Sequence, residues 1–118
     1  MINVNGKTIH LACGSTDMRK SINGLSAIVQ SSFKLNPCSA DLFVFCNRKR
    51  DRLKILEWDK DGFWLHLKRL EDGHFKWPST AADEPTMAIT REELTHILNG
   101  PGLEQKLRRK YFKPHLVV

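Results

Sequence analysis

Asp51, Glu57, Asp59 and Asp61 lie close together in the sequence, and two or three converging carboxylates can hold magnesium for phosphodiester cleavage. If residues 53–59 form a strand, Glu57 and Asp59 share one face while Asp61 already belongs to the turn that follows. Glu57 is followed by Trp58, Asp59 and Lys60, which is not the Glu-x-Lys spacing of a common nuclease signature. Aspartates at turns also have a sufficient structural explanation. Zinc would need a set such as His10, Cys13, Cys46 and His66, without the paired short spacing of structural sites. Ser15, Ser79 and the cysteines show no nucleophile elbow or nearby base pattern, and no glycine-rich phosphate cradle is present. Nothing in the residues demands an enzyme, a metal or a cofactor.

Positive charge is the stronger signal. Arg48, Lys49, Arg50, Arg52 and Lys54 oppose only Asp51, so residues 48–54 carry +4 of a total +6. Lys106, Arg108, Arg109, Lys110 and Lys113 oppose only Glu104, giving another +4 over residues 101–118. Residues 1–47 sum to +2 and residues 55–100 to −4. Clustered cations neutralise several phosphates at once and release their counterions, which makes nucleic acid the first partner to consider. The plainer reading is a solvated hairpin tip and a solubilising tail.

A chain of 118 residues is one domain in size and can bury a core without metal or disulfide support. Its 41% hydrophobic and 27% charged residues are ordinary globular values. No apolar run approaches the ~20 residues needed to span a bilayer. The opening MINVNGKTIH lacks the pattern of a secretion signal, so the cytoplasm is the expected compartment. Cys13, Cys38 and Cys46 are odd in number and share no CxxC spacing, as reduced thiols would.

The elements that must position these groups follow from periodicity. Lys7 to Cys13 reads as a strand entered from an Asn5-Gly6 turn. Thr16 or Asp17 is placed to cap a helix, with Met18, Ile22, Leu25, Ile28, Val29 and Phe33 on one face. Gly24 would admit a close backbone neighbour, and Asn36-Pro37 would end the helix. Leu42 to Cys46 and Leu53 to Trp58 read as strands joined across the basic tip. Asp61-Gly62 signals a two-residue hairpin into Phe63 to Leu67, and Asp72-Gly73 repeats the device before a strand at His74 to Trp77. Ser79 to Thr86 reads as a loop. Thr90 and Glu93 match a capping box for a short helix with Leu94, Ile97 and Leu98 on its apolar face, ended by Gly100-Pro101.

The expected fold is therefore α+β: an antiparallel meander of four or five strands with one long helix packed on it, a short C-terminal helix and a basic tail. Residues 1–100 form the domain and 101–118 the tail, taken as mobile alone. Phe43, Phe45, Phe63 and Phe75 are expected in the core under the helix. Of Trp58, Trp64 and Trp77, at least two should be buried. Trp64 alternates away from Phe63, Leu65 and Leu67, so an exposed ring beside Lys68 and Arg69 would suit base stacking or a partner surface.

The ordered string TDMRK (16–20), Gly24-Leu25, LFVF (42–45), NRKRDRLKIL (47–56), WDKDGFW (58–64), KRLE (68–71) and FKWP (75–78) resembles the small TnpB-type accessory protein of the insertion sequence sixty-six family of bacterial mobile elements. The resemblance covers roughly residues 8–100. It implies a non-catalytic accessory of transposition, with a separate, larger transposase supplying the strand-cutting carboxylates. Ser21 departs from the family's second basic residue or glycine near that position.

Taken together, the residues and the resemblance imply contact with DNA, alone or within a transposase complex, mostly through phosphates. The contacting set would be Arg19, Lys20, Arg48, Lys49, Arg50, Arg52, Lys54, Lys68, Arg69, Arg108, Arg109 and Lys110. Asp17 and Asp51, each among arginines, would hold those side chains in a fixed array. The rival is a protein adaptor for the transposase, using Trp58, Trp64 and Trp77, and the magnesium nuclease is a weaker third. No membrane partner is expected, and the residues point to no particular oligomeric state.

Overall fold

The computed structural model of the protein describes residues 2, 4–78 and 83–100. In chain order the elements are β1 (Ile9–Ala12), α1 (Ile22–Ser31), β2 (Leu42–Cys46), β3 (Arg52–Asp59), β4 (Gly62–Arg69), β5 (Thr86–Ile89) and α2 (Arg91–Leu98). The class is α+β, with one five-stranded sheet in the order β4-β3-β2-β1-β5. The antiparallel meander expected from the turn signals covers β2, β3 and β4. β1 instead runs parallel to β2, with α1 as the crossover between them, and β5 closes the far edge antiparallel to β1. A parallel pair needs such a long connection, which the helix supplies.

Strand β2, LFVFC, is buried at every position, as a central strand covered on both faces must be. Its alternation splits the core in two. Phe43 and Phe45 join Leu25, Val29 and Phe33 of the α1 side. Leu42, Val44 and Cys46 join Leu94 and Ile97 of the α2 side, together with Leu53, Ile55, Leu70 and Phe75. Burying each such side chain stabilises the fold by about 1.5–3 kcal/mol. Phe75 thus sits on the face opposite α1, a placement that strand alternation alone did not reveal.

Several expected elements are shorter or displaced. α1 is ten residues long and starts after Ser21, which is extended and makes no side-chain cap. Asp17 is not available as a cap because its Oδ1 accepts the backbone N–H of Arg19 at 2.9 Å and its carbonyl accepts from Lys20 at 3.1 Å. Residues 17–20 are therefore a turn. The helix ends before Asn36-Pro37, as Phe33 N–H returns to Ile28 and Leu35 N–H to Val29 around Lys34 at φ 58°. The close neighbour at Gly24 is the Lys20 side-chain stem, 3.1 Å from where a Cβ would stand, and not backbone.

The hairpin between β3 and β4 pairs Asp59 with Gly62, so its two loop residues are Lys60-Asp61, one position earlier than the Asp-Gly signal suggested. Lys60 takes the positive φ, and Asp61 N–H reaches back to the Asp59 carbonyl, the three-residue turn pattern. His74 to Trp77 is not a strand; after Gly73, at φ 78°, this stretch folds against the basic turn through Phe75 N–H to the Arg50 carbonyl. The capping box forms as expected: Thr90 Oγ1 accepts from Glu93 N–H at 3.1 Å, and Glu93 Oε1 accepts from Thr90 N–H at 2.8 Å. Gly100, at φ 66°, closes α2, and a Cβ there would stand 2.9 Å from Leu70 Cδ2. The expected tail, 101–118, lies outside the described residues.

Candidate nucleic-acid interface

The turn that carries the basic run is built around Asn47. Its Oδ1 accepts the backbone N–H groups of Asp51 and Arg52, both at 3.1 Å, while its Nδ2 donates to Asp51 Oδ1 at 2.7 Å. Asparagine suits this position because its short amide mimics a backbone turn. Arg50 occupies φ 59°, and the turn is anchored from outside by Leu70 N–H on the Asp51 carbonyl at 2.8 Å and by the His74 ring on the Lys49 carbonyl at 2.8 Å. These cations are therefore mounted on a fixed backbone.

A second loop meets this turn. Lys54, on β3, donates its ammonium to the carbonyls of Met18 and Lys20, both at 2.8 Å, which pins residues 17–20 beside the turn. Between them opens a groove of about 540 Å³ lined by Ser15, Thr16, Asp17, Met18, Arg19 and residues 47–49, 51 and 52. Four cations, Arg19, Arg48, Lys49 and Arg52, face two carboxylates, Asp17 and Asp51, for a net +2 along its walls. None of the ion pairs among the described residues engages Arg48, Lys49 or Arg52.

Asp17 and Asp51 behave differently. Asp17 clasps Arg19 through both oxygens, with Nη2 to Oδ2 at 2.7 Å and Nε to Oδ1 at 3.1 Å, the fork geometry that fixes a guanidinium. The Arg19 side-chain hydrogen bond lowers the Asp17 pKa to about 2 and raises that of Arg19. Asp51 makes its side-chain bond to Asn47, not to an arginine, and that bond holds its carboxyl below the usual range.

The structure brings Arg19, Arg48, Lys49 and Arg52 together and separates the other expected contacts. Arg50 turns inward over the Trp77 ring, 5.1 Å from its centroid, where its guanidinium also opposes the upward push that burial gives the Cys46 thiol. Lys54 is committed to carbonyls, and Lys20 borders a neighbouring depression with Ile28 and Phe33. Lys68 donates to the Leu98 carbonyl on the α2 side, and Arg69 pairs with Glu71 at 2.9 Å. Arg108, Arg109 and Lys110 lie outside the described residues. Trp58 packs edge-on against Phe63, and Trp77 donates its N–H to the Ala12 carbonyl at 3.2 Å. Trp64 is 57% exposed.

Three of the four carboxylates considered for magnesium, Asp51, Glu57 and Asp59, are engaged by other side chains. Glu57 accepts from Lys7 at 2.7 Å and pairs with His66 at 2.9 Å, and Asp59 accepts the Trp64 indole N–H at 3.1 Å. Burial raises the Glu57 pKa, but the Lys7 and His66 hydrogen bonds outweigh it and the net shift is downward. His10 pairs with Asp41 and stacks on Phe43, whereas Cys46 is buried on the opposite side of the sheet. Among the described residues no three His, Cys, Asp or Glu side chains converge on a metal position.

The family model described as IS66 Orf2 like protein matches residues 7–108. The chain belongs to this family. It is similar to the uncharacterized protein y4hO of Sinorhizobium fredii, 40% identical over 92 residues that cover 78% of each chain. It is also similar to the uncharacterized protein y4jC of the same organism, 31% identical over 113 residues covering 96% of this chain and 95% of the other. No solved structure matches. The IS66 Orf2 family indicates a role accessory to transposition, and no described helix is long and apolar enough to cross a membrane.

In this IS66 Orf2 family member, sequence reasoning missed Asn47 as the organiser of the basic turn, although asparagine before a basic turn was the available signal. It also missed the anchoring of that turn by residues 70–77, which is a long-range contact with no local signature.

Proposed function

We propose that this protein is a non-catalytic accessory of DNA transposition that contacts DNA phosphates through the groove between residues 15–19 and 47–52. The carrying observation is the convergence of Arg19, Arg48, Lys49 and Arg52 from two separate loops, the last three outside any described ion pair. A rigid turn presents charge at low entropic cost, since its backbone is already ordered by Asn47. Phosphate contacts of this kind position a protein on a duplex without reading its sequence. The expected partners are DNA and the element's transposase, in the cytoplasm, with the chemistry left to the transposase.

Fluorescence anisotropy of labelled duplexes across a salt series tests this. Wild-type protein should bind with steep salt dependence. The triple variant R48A/K49A/R52A should lose affinity and flatten the slope of log K against log salt by up to about 3, at roughly 0.9 for each phosphate no longer neutralised. Wild-type-like binding by the triple variant, or no duplex binding at low salt, would overturn the proposal. An element's terminal repeat compared with a scrambled duplex would then separate sequence reading from phosphate contact alone.

A further inference from the structure

The two edges of the sheet are finished differently. β5, at one edge, is four residues long, whereas β4, at the other, is eight and pairs with β3 without a break from Gly62 to Arg69. A two-residue loop is closed by a pair that exchanges both backbone hydrogen bonds, so Gly62 and every second residue after it turn their N–H and C=O groups toward β3. Leu70 keeps that parity, its N–H reaching the Asp51 carbonyl at 2.8 Å. Phe63, Leu65, Leu67 and Arg69 therefore direct theirs away from β3, and among the described residues no strand meets them. The edge also lacks the usual guards against pairing, having no proline, no bulge and no lysine or arginine before Lys68. It presents Trp64 and Leu67, the two large apolar side chains that stand exposed among the described residues, on opposite faces of the strand.

We propose that β4 is a self-association edge, pairing antiparallel with β4 of a second copy of this chain so that two five-stranded sheets become one. Charge along the strand argues for this occupant. Asp61 lies at the turn end and Arg69 at the other, so an antiparallel copy sets unlike charges against each other at both ends. With Leu65 opposite its counterpart, Phe63 meets Leu67 and Asp61 meets Arg69, each pair formed twice, while Trp64 meets His66 on the other face. A slip of two residues would bring Asp61 against Glu71 or Leu67 instead. A slip of one would set outward-facing backbone groups against inward-facing ones. The Asp61 carboxylate enters none of the ion pairs among the described residues. Arg69 pairs with Glu71, but both side chains are largely exposed, so that bond is exchanged at little cost. A contact one strand wide falls among the small, transient interfaces, below about 1,200 Å², so the association depends on concentration. The inference does not rest on the phosphate reading of the groove.

Sedimentation equilibrium of the full chain without nucleic acid, from about 10 µM to about 1 mM, tests this. The wild-type mass should climb toward twice the monomer mass. D61R and R69D should each weaken self-association about tenfold, because each sets like charges opposite one another at both ends. Mixed in equal amounts, the two variants should associate at least as tightly as wild type, since every cross-strand charge pair is then unlike. Amide exchange followed by NMR should show the N–H groups of Phe63, Leu65 and Leu67 gaining protection as wild-type concentration rises, with Trp64 and His66 unchanged. This measurement needs no variant, so it decides the matter even if a substitution impairs folding. A monomer mass throughout the range, a mixture no tighter than its components, or no added protection at Phe63, Leu65 and Leu67 would overturn the proposal.

Discussion

Asn47→Ala isolates the turn from its charges, because it leaves the formal charge unchanged while removing the side chain that shapes residues 47–52. Three hydrogen bonds disappear: two from the backbone N–H groups of Asp51 and Arg52 and one to the Asp51 carboxylate. Each is worth roughly 1 kcal/mol net, and partial exposure lets water replace some of that, so the loss should total about 2 kcal/mol. For a domain of this size that lowers the thermal midpoint by about 7 °C, leaving the protein folded at 25 °C. The Asp51 carboxyl should also rise toward its ordinary pKa, since the Asn47 bond is the largest cause of its depression. Circular dichroism melts measure the first effect and carboxyl NMR titration the second. Duplex anisotropy should fall although no cation has been removed, because the groove's cations lose their common mounting. A midpoint within about 1 °C of wild type would refute the energetic argument. A lowered midpoint with wild-type duplex affinity would refute the claim that preorganisation of this turn contributes to binding.

Asp17→Asn should free Arg19 and tighten duplex binding at fixed salt, a gain read by the same anisotropy assay. In wild type the folded Asp17 pKa, about 2, lies below the ordinary 3.8. Its contribution to stability is therefore complete above pH 3.8 and lost as pH falls toward 2, which carboxyl NMR can follow. Glu57 is also depressed in the folded state, so its contribution is present above its ordinary pKa of 4.5 and declines on acidification. Urea melts of Glu57→Gln should show lower stability than wild type at pH 7 and a smaller difference at pH 3. Thr90→Ala should cost about 1 kcal/mol through loss of the capping box, seen as faster amide exchange at the start of α2 and little change at β2.

Much of the fold was legible because its signals are local. Alternating apolar residues and tight turns gave β2, β3 and β4, and Thr90 with Glu93 gave the start of α2, since caps and pleats depend on neighbours a few residues away. The parallel placement of β1 and the strand β5 were not legible. TMAI is short and weakly patterned, and it becomes a strand only because β1, distant in sequence, offers an unpaired edge. Asp17 looked like a helix cap because its carboxylate does accept the backbone N–H two residues on, but that bond closes a turn at residues 17–20 and the helix begins only after Ser21. The candidate site divides in the same way. Composition and spacing by themselves determined that positive charge would be concentrated at residues 48–54, and the resemblance to the family placed residues 16–20 in the same pattern. Only the tertiary structure decided that Arg19, Arg48, Lys49 and Arg52 share a groove while Arg50 turns inward over Trp77, Lys54 ties down a loop and Trp64 stands exposed. Charge is a property of a residue, but whether it faces solvent, a carbonyl or a ring depends on which chain segments the core brings together.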